Sequence, residues 1–302
     1  MSKETKARGE LLLSMIIWGS IGLFVRGIDL PTPLIATARA IIGALFVLAL
    51  MLILRRRPQL KGLGNGWLWL GLSGILLGLN WILLFSAYKH TSIAVATLCY
   101  YLAPVLVVLL SPLIFRESLG AKKLLCAFGA LLGMVLISGL GSGSAAFASG
   151  QFKGVALGIA AACVYAGIVI CNKKLKGISG LDRTLVQLSI SALLLIPYDL
   201  LSRQSGFAAL DARGWLLLVL LGIVHTGLSY YLYFDCMDRL PAQTVAVLAY
   251  IDPVVAVLLS ALLLKEPMDL PMALGAVLVI GSALLLELPT GQKKAAPDRQ
   301  QL

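Results

Sequence analysis

An internal repeat limits what this chain can fold into more than any other feature of its sequence, because a repeat fixes the architecture. Residues 103–111 read APVLVVLLS, and residues 252–260, which follow 149 positions later, read DPVVAVLLS. The repeated text is apolar, which predicts two copies of one membrane-spanning unit. Further residues recur at the same offset: Gly78/Gly227, Leu83/Leu232, Phe85/Phe234, Tyr101/Tyr250, Pro104/Pro253, Ser111/Ser260 and Glu117/Glu266.

The composition indicates an integral membrane protein. Of the 302 residues, 59% are hydrophobic and 13% are charged, and the mean hydropathy is +0.94, whereas a soluble domain needs more charge on its surface. The net charge of +11 comes from short basic clusters between apolar runs, which fits contact with anionic membrane lipids better than with nucleic acid. The five cysteines are scattered without a CxxC spacing, so no zinc site is predicted.

Ten apolar segments are long enough to cross a bilayer, which takes about 20 residues per helix. Because lipid offers no hydrogen bonds, each segment must satisfy its own backbone groups, and we predict an all-α fold of ten transmembrane helices. The predicted spans are residues 10–28, 33–54, 66–87, 92–115, 121–140, 151–172, 183–201, 213–236, 242–264 and 270–288.

The positions of Lys and Arg predict the orientation, since short cytoplasmic loops are enriched in both. With both termini inside, 18 of these residues lie on the cytoplasmic side and 6 outside. Five helices per copy force the second copy to enter the membrane upside down, so the repeat is inverted. We predict five-helix units in residues 1–140 and 151–288, an external linker in 141–150 and a disordered cytoplasmic tail in 289–302.

Two charged residues lie well inside predicted spans, and such residues are functional candidates because burying charge in lipid is costly. Asp252 is placed near the membrane midplane, where it would carry a proton or a cation. Arg39 would be its counter-charge or an anion ligand. The alternatives are that Asp252 bonds a backbone donor beside Pro253 and that Arg39 extends outward to the lipid surface. Asp252 matches Ala103 in the first copy, so its charge breaks the repeat.

Matched prolines and a set of polar and aromatic residues predict a binding site between the two halves. Pro104 and Pro253 interrupt equivalent helices, which in repeat transporters marks the substrate site, although a proline also simply kinks a helix. The side chains expected to bind substrate are Trp18, Asn80, Tyr101, Tyr165, His225, Ser229 and Tyr250. Two alternatives remain: aromatic residues also anchor helices at headgroups, and His225 is also readable as a packed, hydrogen-bonded residue.

The chain resembles the drug/metabolite transporter superfamily, in particular its EamA-type members. The resemblance covers nearly the whole chain and rests on Leu102-Ala103-Pro104-Val105 with Glu117, on Asp252-Pro253-Val254 with Glu266, and on Trp18-Gly19 and Ala38-Arg39. It implies a cavity lined by helices 1–4 and 6–9, with helices 5 and 10 at the periphery. It also implies alternating access for small organic solutes in a bacterial plasma membrane. An acidic residue before the second proline is frequent in that family, so Asp252 is also readable as a family feature.

We therefore expect a secondary transporter for a small polar or cationic metabolite, either amino acid-like or an amine. Export or exchange, with protons as a coupling ion, is the leading hypothesis. The alternatives are an uptake facilitator for sugars, nucleobases or amines and, from another class, a lipid flippase or a membrane-embedded enzyme. No catalytic constellation, nucleotide-binding loop, metal site or cofactor is predicted from the sequence.

Overall fold

The structure is a computed structural model, and every element of secondary structure in its described part is helical. The predicted linker 141–150, the predicted tail 289–302 and the repeated Glu117 and Glu266 lie outside the described residues. These are residues 3–60, 62–90, 96, 99–116, 120–137, 152–203, 205–263 and 270–287.

The helices follow the ten predicted segments, and we number them α1 to α10 accordingly. Three segments are divided into parts. The bounds are α1a Lys3–Gly19, α1b Ile21–Arg26, α2 Thr32–Ile53, α3 Gly66–His90, α4 Leu102–Phe115, α5 Ala121–Ile137, α6 Phe152–Lys174, α7 Gly180–Leu201, α8a Ala212–Gly222, α8b Ser229–Met237, α9a Ala242–Leu248, α9b Ile251–Leu263 and α10 Leu270–Glu287.

Six of these segments are long and apolar enough to cross a membrane by themselves. They are Lys3–Val25, Thr32–Ile53, Gly66–Ala87, Phe152–Lys174, Gly180–Leu201 and Ala212–Met237. Shorter apolar helices occur in α4, α9 and α10. The prediction of an all-helical, multi-pass membrane protein is therefore confirmed.

The main helix pairings are preserved when each helix is exchanged for its counterpart five places along the chain. Helix α3 packs on α6, and their counterparts α8b and α1 also pack on each other. Helix α1 packs on α9b, and their counterparts α6 and α4 do the same. The self-equivalent pairs α2/α7, α4/α9 and α5/α10 also contact each other. This exchange symmetry is what two copies related by a twofold axis produce.

Two glycines permit close contacts with backbone atoms of the other half. A Cβ atom added to Gly19 would lie 2.6 Å from the carbonyl oxygen of Asp252, and one added to Gly133 would lie 2.7 Å from that of Gly275. Any side chain at either position would push the helices apart. Gly19 thus sets the distance between α1 and α9, and Gly133 sets the distance between α5 and α10.

The fourth and ninth segments are broken at equivalent places, so the ninth is not the continuous helix that the sequence predicted. Helix α4 begins at Leu102, two residues before Pro104, after a turn at Tyr101. Helix α9a ends at Leu248 and α9b begins at Ile251, two residues before Pro253. Proline has no N–H to donate to a carbonyl of the preceding helical turn, so each helix is interrupted just before its proline. Asp252 therefore lies in the first turn of a half-helix.

The eighth segment contains a π-helical turn, Ile223–Leu228, between α8a and α8b. Two side chains of the same segment bond carbonyls five residues earlier and so stabilise the five-residue spacing of this turn. Thr226 Oγ1 donates to the Leu221 carbonyl at 3.0 Å, and Ser229 Oγ donates to the Val224 carbonyl at 3.1 Å. Such turns are rare and concentrate at functional sites. The matching α3 is a continuous α-helix, so this turn belongs to one half only.

Charged residues cluster near the beginnings of α1 and α7 and the end of α8b. The fully buried Arg183 pairs with Asp238, with nitrogen and oxygen 2.9 Å apart. Burial raises the pKa of Asp238, and the Arg183 guanidinium opposes that rise. Arg239 bonds both Glu10 and Asp235, and Lys173 donates to the Met237 carbonyl at 2.7 Å. In the predicted orientation this cluster faces the cytoplasm.

Candidate functional site

An aromatic cluster lies between α1 and α8b and is centred on Trp18. Its ring is 4.8 Å from that of Tyr230 and 5.0 Å from that of Tyr233, measured between centroids. The Trp18 indole N–H donates to the His225 carbonyl in the π turn at 2.9 Å. The wide turn and the indole thus fix each other, which gives Trp18 one defined orientation.

A tyrosine pair extends the cluster toward α6. The hydroxyls of Tyr165 and Tyr233 are 2.8 Å apart and share a hydrogen bond. The ring of Tyr100, just before the break at α4, lies 5.6 Å from that of Tyr165. Residues from α1, α6, α8b and the fourth segment therefore meet here.

The two breaks meet at one repeat-equivalent pair of tyrosines. The rings of Tyr101 and Tyr250 are 5.9 Å apart, and the Tyr250 hydroxyl donates to the Tyr101 carbonyl at 2.7 Å. The Tyr101 side chain is within hydrogen-bonding reach of the Asp252 carboxylate. Asp252 is partly exposed, and no cation pairs with it in the part of the chain that the structure describes.

Arg39 approaches the cluster from α2. Its Nε donates to Thr226 Oγ1 at 3.0 Å, and its guanidinium carbon lies 5.0 Å from the centre of the Trp81 ring. Trp81 in turn lies 6.2 Å from Tyr230. Tyr230 is within electrostatic range of both Arg39 and Asp252. The aromatic cluster therefore lies between one positive and one negative side chain.

His225 faces the outer part of α1 and not the tyrosines. Ser20 Oγ donates to the Ile17 carbonyl at 2.7 Å and lies 2.8 Å from His225 Nε2. The Ser20 hydroxyl has one proton and donates it to the Ile17 carbonyl, so in the contact between Ser20 and His225 the Nε2–H group is the donor and Ser20 Oγ is the acceptor. The ring packs 4.4 Å from Phe24. Its Nδ1 is buried and has no partner among the described residues.

Asn80 and Ser229 are buried in contacts between helices. The Asn80 amide donates to the Ala161 carbonyl at 2.8 Å, and its oxygen accepts from the Tyr100 hydroxyl at 3.5 Å. The Ser229 hydroxyl bonds its own helix, as described above, and its carbonyl accepts from Ser14 Oγ at 2.9 Å. His225 and Ser229 are four residues apart, which places them on one face of a regular helix, and the π turn Ile223–Leu228 alters that spacing.

The structure thus brings Trp18, Tyr101, Tyr165, Tyr250 and Asp252 into one connected cluster, with Arg39 beside it. Pro104 and Pro253 are buried at the breaks. The cluster also contains residues that the sequence reasoning did not propose as binding residues: Trp81, Tyr100, Tyr230 and Tyr233. The repeat could have found two of them, because Trp81 and Tyr230 are 149 positions apart.

The arrangement can hold a small organic molecule through ring faces, phenolic hydroxyls and two isolated charges of opposite sign. Within the described ranges, no group of three His, Cys, Asp or Glu side chains is arranged to hold a metal ion.

Comparison with known proteins identifies relatives along the whole chain. The uncharacterized transporter YxxF of Bacillus subtilis (strain 168) is 31% identical over 290 residues, which are 96% of this chain and 92% of that protein. The aromatic amino acid exporter YddG of Ancylobacter novellus is 26% identical over 283 residues, 91% of this chain and 94% of that exporter. A solved crystal structure that is 23% identical superimposes with a TM-score of 0.84 over 95% of this chain and 99% of its own, which shows a shared fold.

A family model supplies the assignment. The EamA-like transporter family matches the chain twice, at residues 10–139 and at residues 152–288. Together these two matches cover nearly all of the helices described above. The two named relatives are called a transporter and an exporter, and the matches cover 92% and 94% of their lengths. The chain therefore belongs to the EamA-like transporter family.

Proposed function

We propose that this protein is a secondary transporter of the bacterial inner membrane that exports or exchanges a small amino acid-like or amine metabolite by alternating access. The observation that carries the proposal is the position of Asp252. It lies in the first turn of α9b, at the break between two half-helices, within reach of Tyr101 from the other half. Broken helices that meet across a repeat axis form the substrate and coupling-ion sites of many transporters.

The chemistry around Asp252 supports an organic, positively charged group as its ligand. Tyr101 and Tyr250 offer ring faces beside the carboxylate, and ring faces attract cations. The amino terminus of α9b stabilises the negative charge of Asp252 through the helix dipole. A solute amine would neutralise this carboxylate, and a proton would do so when the site is empty. Competition between amine and proton is the simplest route to proton-coupled export.

The name of one relative narrows the solute further. The exporter from Ancylobacter novellus is named for aromatic amino acids. The cluster around Trp18, Tyr230 and Tyr233 presents aromatic surface of the kind that would pack against such a side chain. Aromatic amino acids are accordingly the first solutes to test.

Counterflow in proteoliposomes tests the proposal directly. Vesicles containing the full chain are loaded with an unlabelled amino acid or amine and diluted into the labelled solute, with and without a pH gradient. We expect accumulation that the pH gradient changes. Asp252→Asn should abolish the effect of the gradient, whereas the exposed Asp29→Asn should leave it unchanged. The proposal is wrong if no amino acid or amine exchanges, and proton coupling is wrong if both variants respond to the gradient like wild type.

A further inference from the structure

One ionic contact in the charged cluster joins the two halves of the bundle. Arg239, which follows the end of α8b, bonds the Glu10 carboxylate of α1a and, at 2.5 Å, the Asp235 carboxylate of α8b. Glu10 belongs to the first repeat, whereas Arg239 and Asp235 belong to the second. The Glu10 side chain is only 16% exposed, so the pair is shielded from much of the water that weakens surface ion pairs. We call the Glu10–Arg239 contact the clasp.

The neighbouring ionic contacts stay within one half. Arg183 of α7 pairs with Asp238, and Lys173 of α6 donates to the Met237 carbonyl, so all four residues belong to the second repeat. In alternating access by inverted repeats, one half moves largely as a rigid body against the other. Such a movement preserves contacts within a half and breaks contacts between the halves at the end that opens. Of the ionic contacts described for this cluster, the clasp is therefore the one that opening this end must break.

The end of the bundle at the clasp is filled by α9a. This half-helix begins at Ala242, three residues after Arg239, and leads to the break beside Asp252. All residues from 242 to 250 are buried, and α9a packs against α1, α4, α5, α6 and α10. A solute that leaves the candidate site toward this end must displace this packing. The clasp holds the start of α9a beside α1a and so acts on the segment that closes the path.

The twofold-related position at the other end of the bundle carries different residues. At the repeat offset of 149 residues, the counterparts of Glu10, Arg239 and Asp235 are Ile159, His90 and Ser86. The helix ends are alike, because His90 contacts the Ser86 carbonyl at 2.9 Å. In the same way, Arg239 Nε donates to the Asp235 carbonyl at 3.2 Å. Ile159, however, has no charge and is 40% exposed, so these counterparts cannot form an ion pair between the halves.

We propose that the Glu10–Arg239 clasp is a gate contact that holds this end of the protein closed and must break each time the end opens. This inference rests on the proposed function, because it requires two alternating forms. Since the twofold-related residues cannot form the same pair, the clasp stabilises one form and not the other. It therefore biases the empty protein toward the form that is closed at this end.

Cys236 is a natural reporter for the opening of this end. It is fully buried, in an apolar cluster that includes residues of α1a and α9a. The test uses the purified full chain in detergent, in which Cys236 is kept and the other four cysteines are replaced by alanine. These are Cys99, Cys126, Cys163 and Cys171. The rate at which a water-soluble maleimide labels Cys236 then measures how often the end opens.

Breaking the clasp should accelerate this labelling. We expect Glu10→Gln and Arg239→Gln each to raise the rate about fivefold, which corresponds to about 1 kcal/mol, the upper end for partly exposed ion pairs. The double variant should label no more than about twice as fast as either single variant, because both remove the same contact. Glu4→Gln is the matched control. It breaks the exposed pair with Arg8 on the same helix and should leave the rate unchanged.

A second reporter distinguishes opening of one end from a general loss of stability. Leu218→Cys, in a chain without the native cysteines, places a thiol in the buried apolar cluster of α1b, α2 and α8a at the opposite end. Glu10→Gln should leave its labelling unchanged or slower. Hydrogen exchange of residues 242–248 in the chain with its native cysteines gives the same comparison without cysteine replacement, and we expect faster exchange in Glu10→Gln but not in Glu4→Gln.

The possible outcomes separate this inference from the proposed function. The clasp is not a gate contact if Glu10→Gln leaves both Cys236 labelling and the exchange of residues 242–248 unchanged. The same conclusion follows if Glu10→Gln accelerates labelling at both ends of the bundle alike. Acceleration confined to the clasp end, in a protein that shows no counterflow of any solute, would overturn the proposed function and leave the clasp as the contact that closes this end.

Discussion

The Tyr250 hydroxyl donates a hydrogen bond to the carbonyl of Tyr101, the residue that occupies the same place in the other repeat. Trp81 and Tyr230 form a second contact between repeat-equivalent residues. Equivalent residues can touch only where they lie close to the axis that relates the copies. These two pairs therefore mark that axis, and both belong to the aromatic cluster.

Removing the Tyr250 hydroxyl should loosen the contact between the two breaks. Tyr250→Phe leaves the Tyr101 carbonyl without its donor, at an expected cost of about 1 kcal/mol. We expect a lower melting temperature in detergent and weaker binding of amino acids. Tyr231→Phe is the matched control, because no hydrogen bond of its hydroxyl is found among the described residues. Equal melting temperatures for the two variants would contradict a structural role for this bond.

Gly19→Ala should separate α1 from α9. The added methyl group would meet the Asp252 carbonyl at 2.6 Å, and backbone atoms cannot move aside as a flexible side chain can. We expect a lower melting temperature and a loss of exchange in proteoliposomes. Gly22→Ala in α1b meets nothing within 4 Å and should be neutral or stabilising by up to about 1 kcal/mol, since alanine favours helix. If Gly19→Ala behaves like Gly22→Ala, the close approach is not required.

Asp238→Ala should destabilise the charged cluster at the ends of α7 and α8b. It leaves the fully buried Arg183 without its acidic partner. Removing one partner of a buried pair costs about 3–5 kcal/mol, and we expect roughly 2 kcal/mol here because the Asp238 side chain is 41% exposed. Thermal unfolding measures the effect. Glu4→Ala, which breaks the exposed pair with Arg8, should change stability by less than about 0.5 kcal/mol.

Trp18→Phe should separate the two roles of this residue. Phenylalanine keeps an aromatic face toward Tyr230 and Tyr233 but cannot donate to the His225 carbonyl. We expect amino acid binding to weaken several-fold while some binding remains, because the phenylalanine ring at position 18 has no hydrogen bond to fix its orientation. Trp67→Phe at an exposed site should leave binding unchanged. Wild-type affinity in Trp18→Phe would show that the indole bond is dispensable.

The sequence was sufficient for the number and order of the helices because apolar length and charge distribution are local properties. It also selected Asp252, since a carboxylate is costly in an apolar segment. It missed the π turn at Ile223–Leu228, because a change from four- to five-residue spacing leaves no mark in the apolar pattern. It selected Asn80 and Ser229 by their polarity. Their polarity is local, but their use in helix contacts depends on neighbours distant in sequence.

The π turn of the eighth segment has a consequence for the energetics of the transport cycle. A carrier built from two identical inverted halves would have inward-open and outward-open forms of equal energy, because exchanging the halves converts one into the other. Here the eighth segment contains the wide turn and the matching α3 does not. The two forms are consequently not interchangeable. Under the alternating access proposed above, the empty protein is therefore expected to be open preferentially to one side of the membrane, so that transport is faster in one direction than in the other.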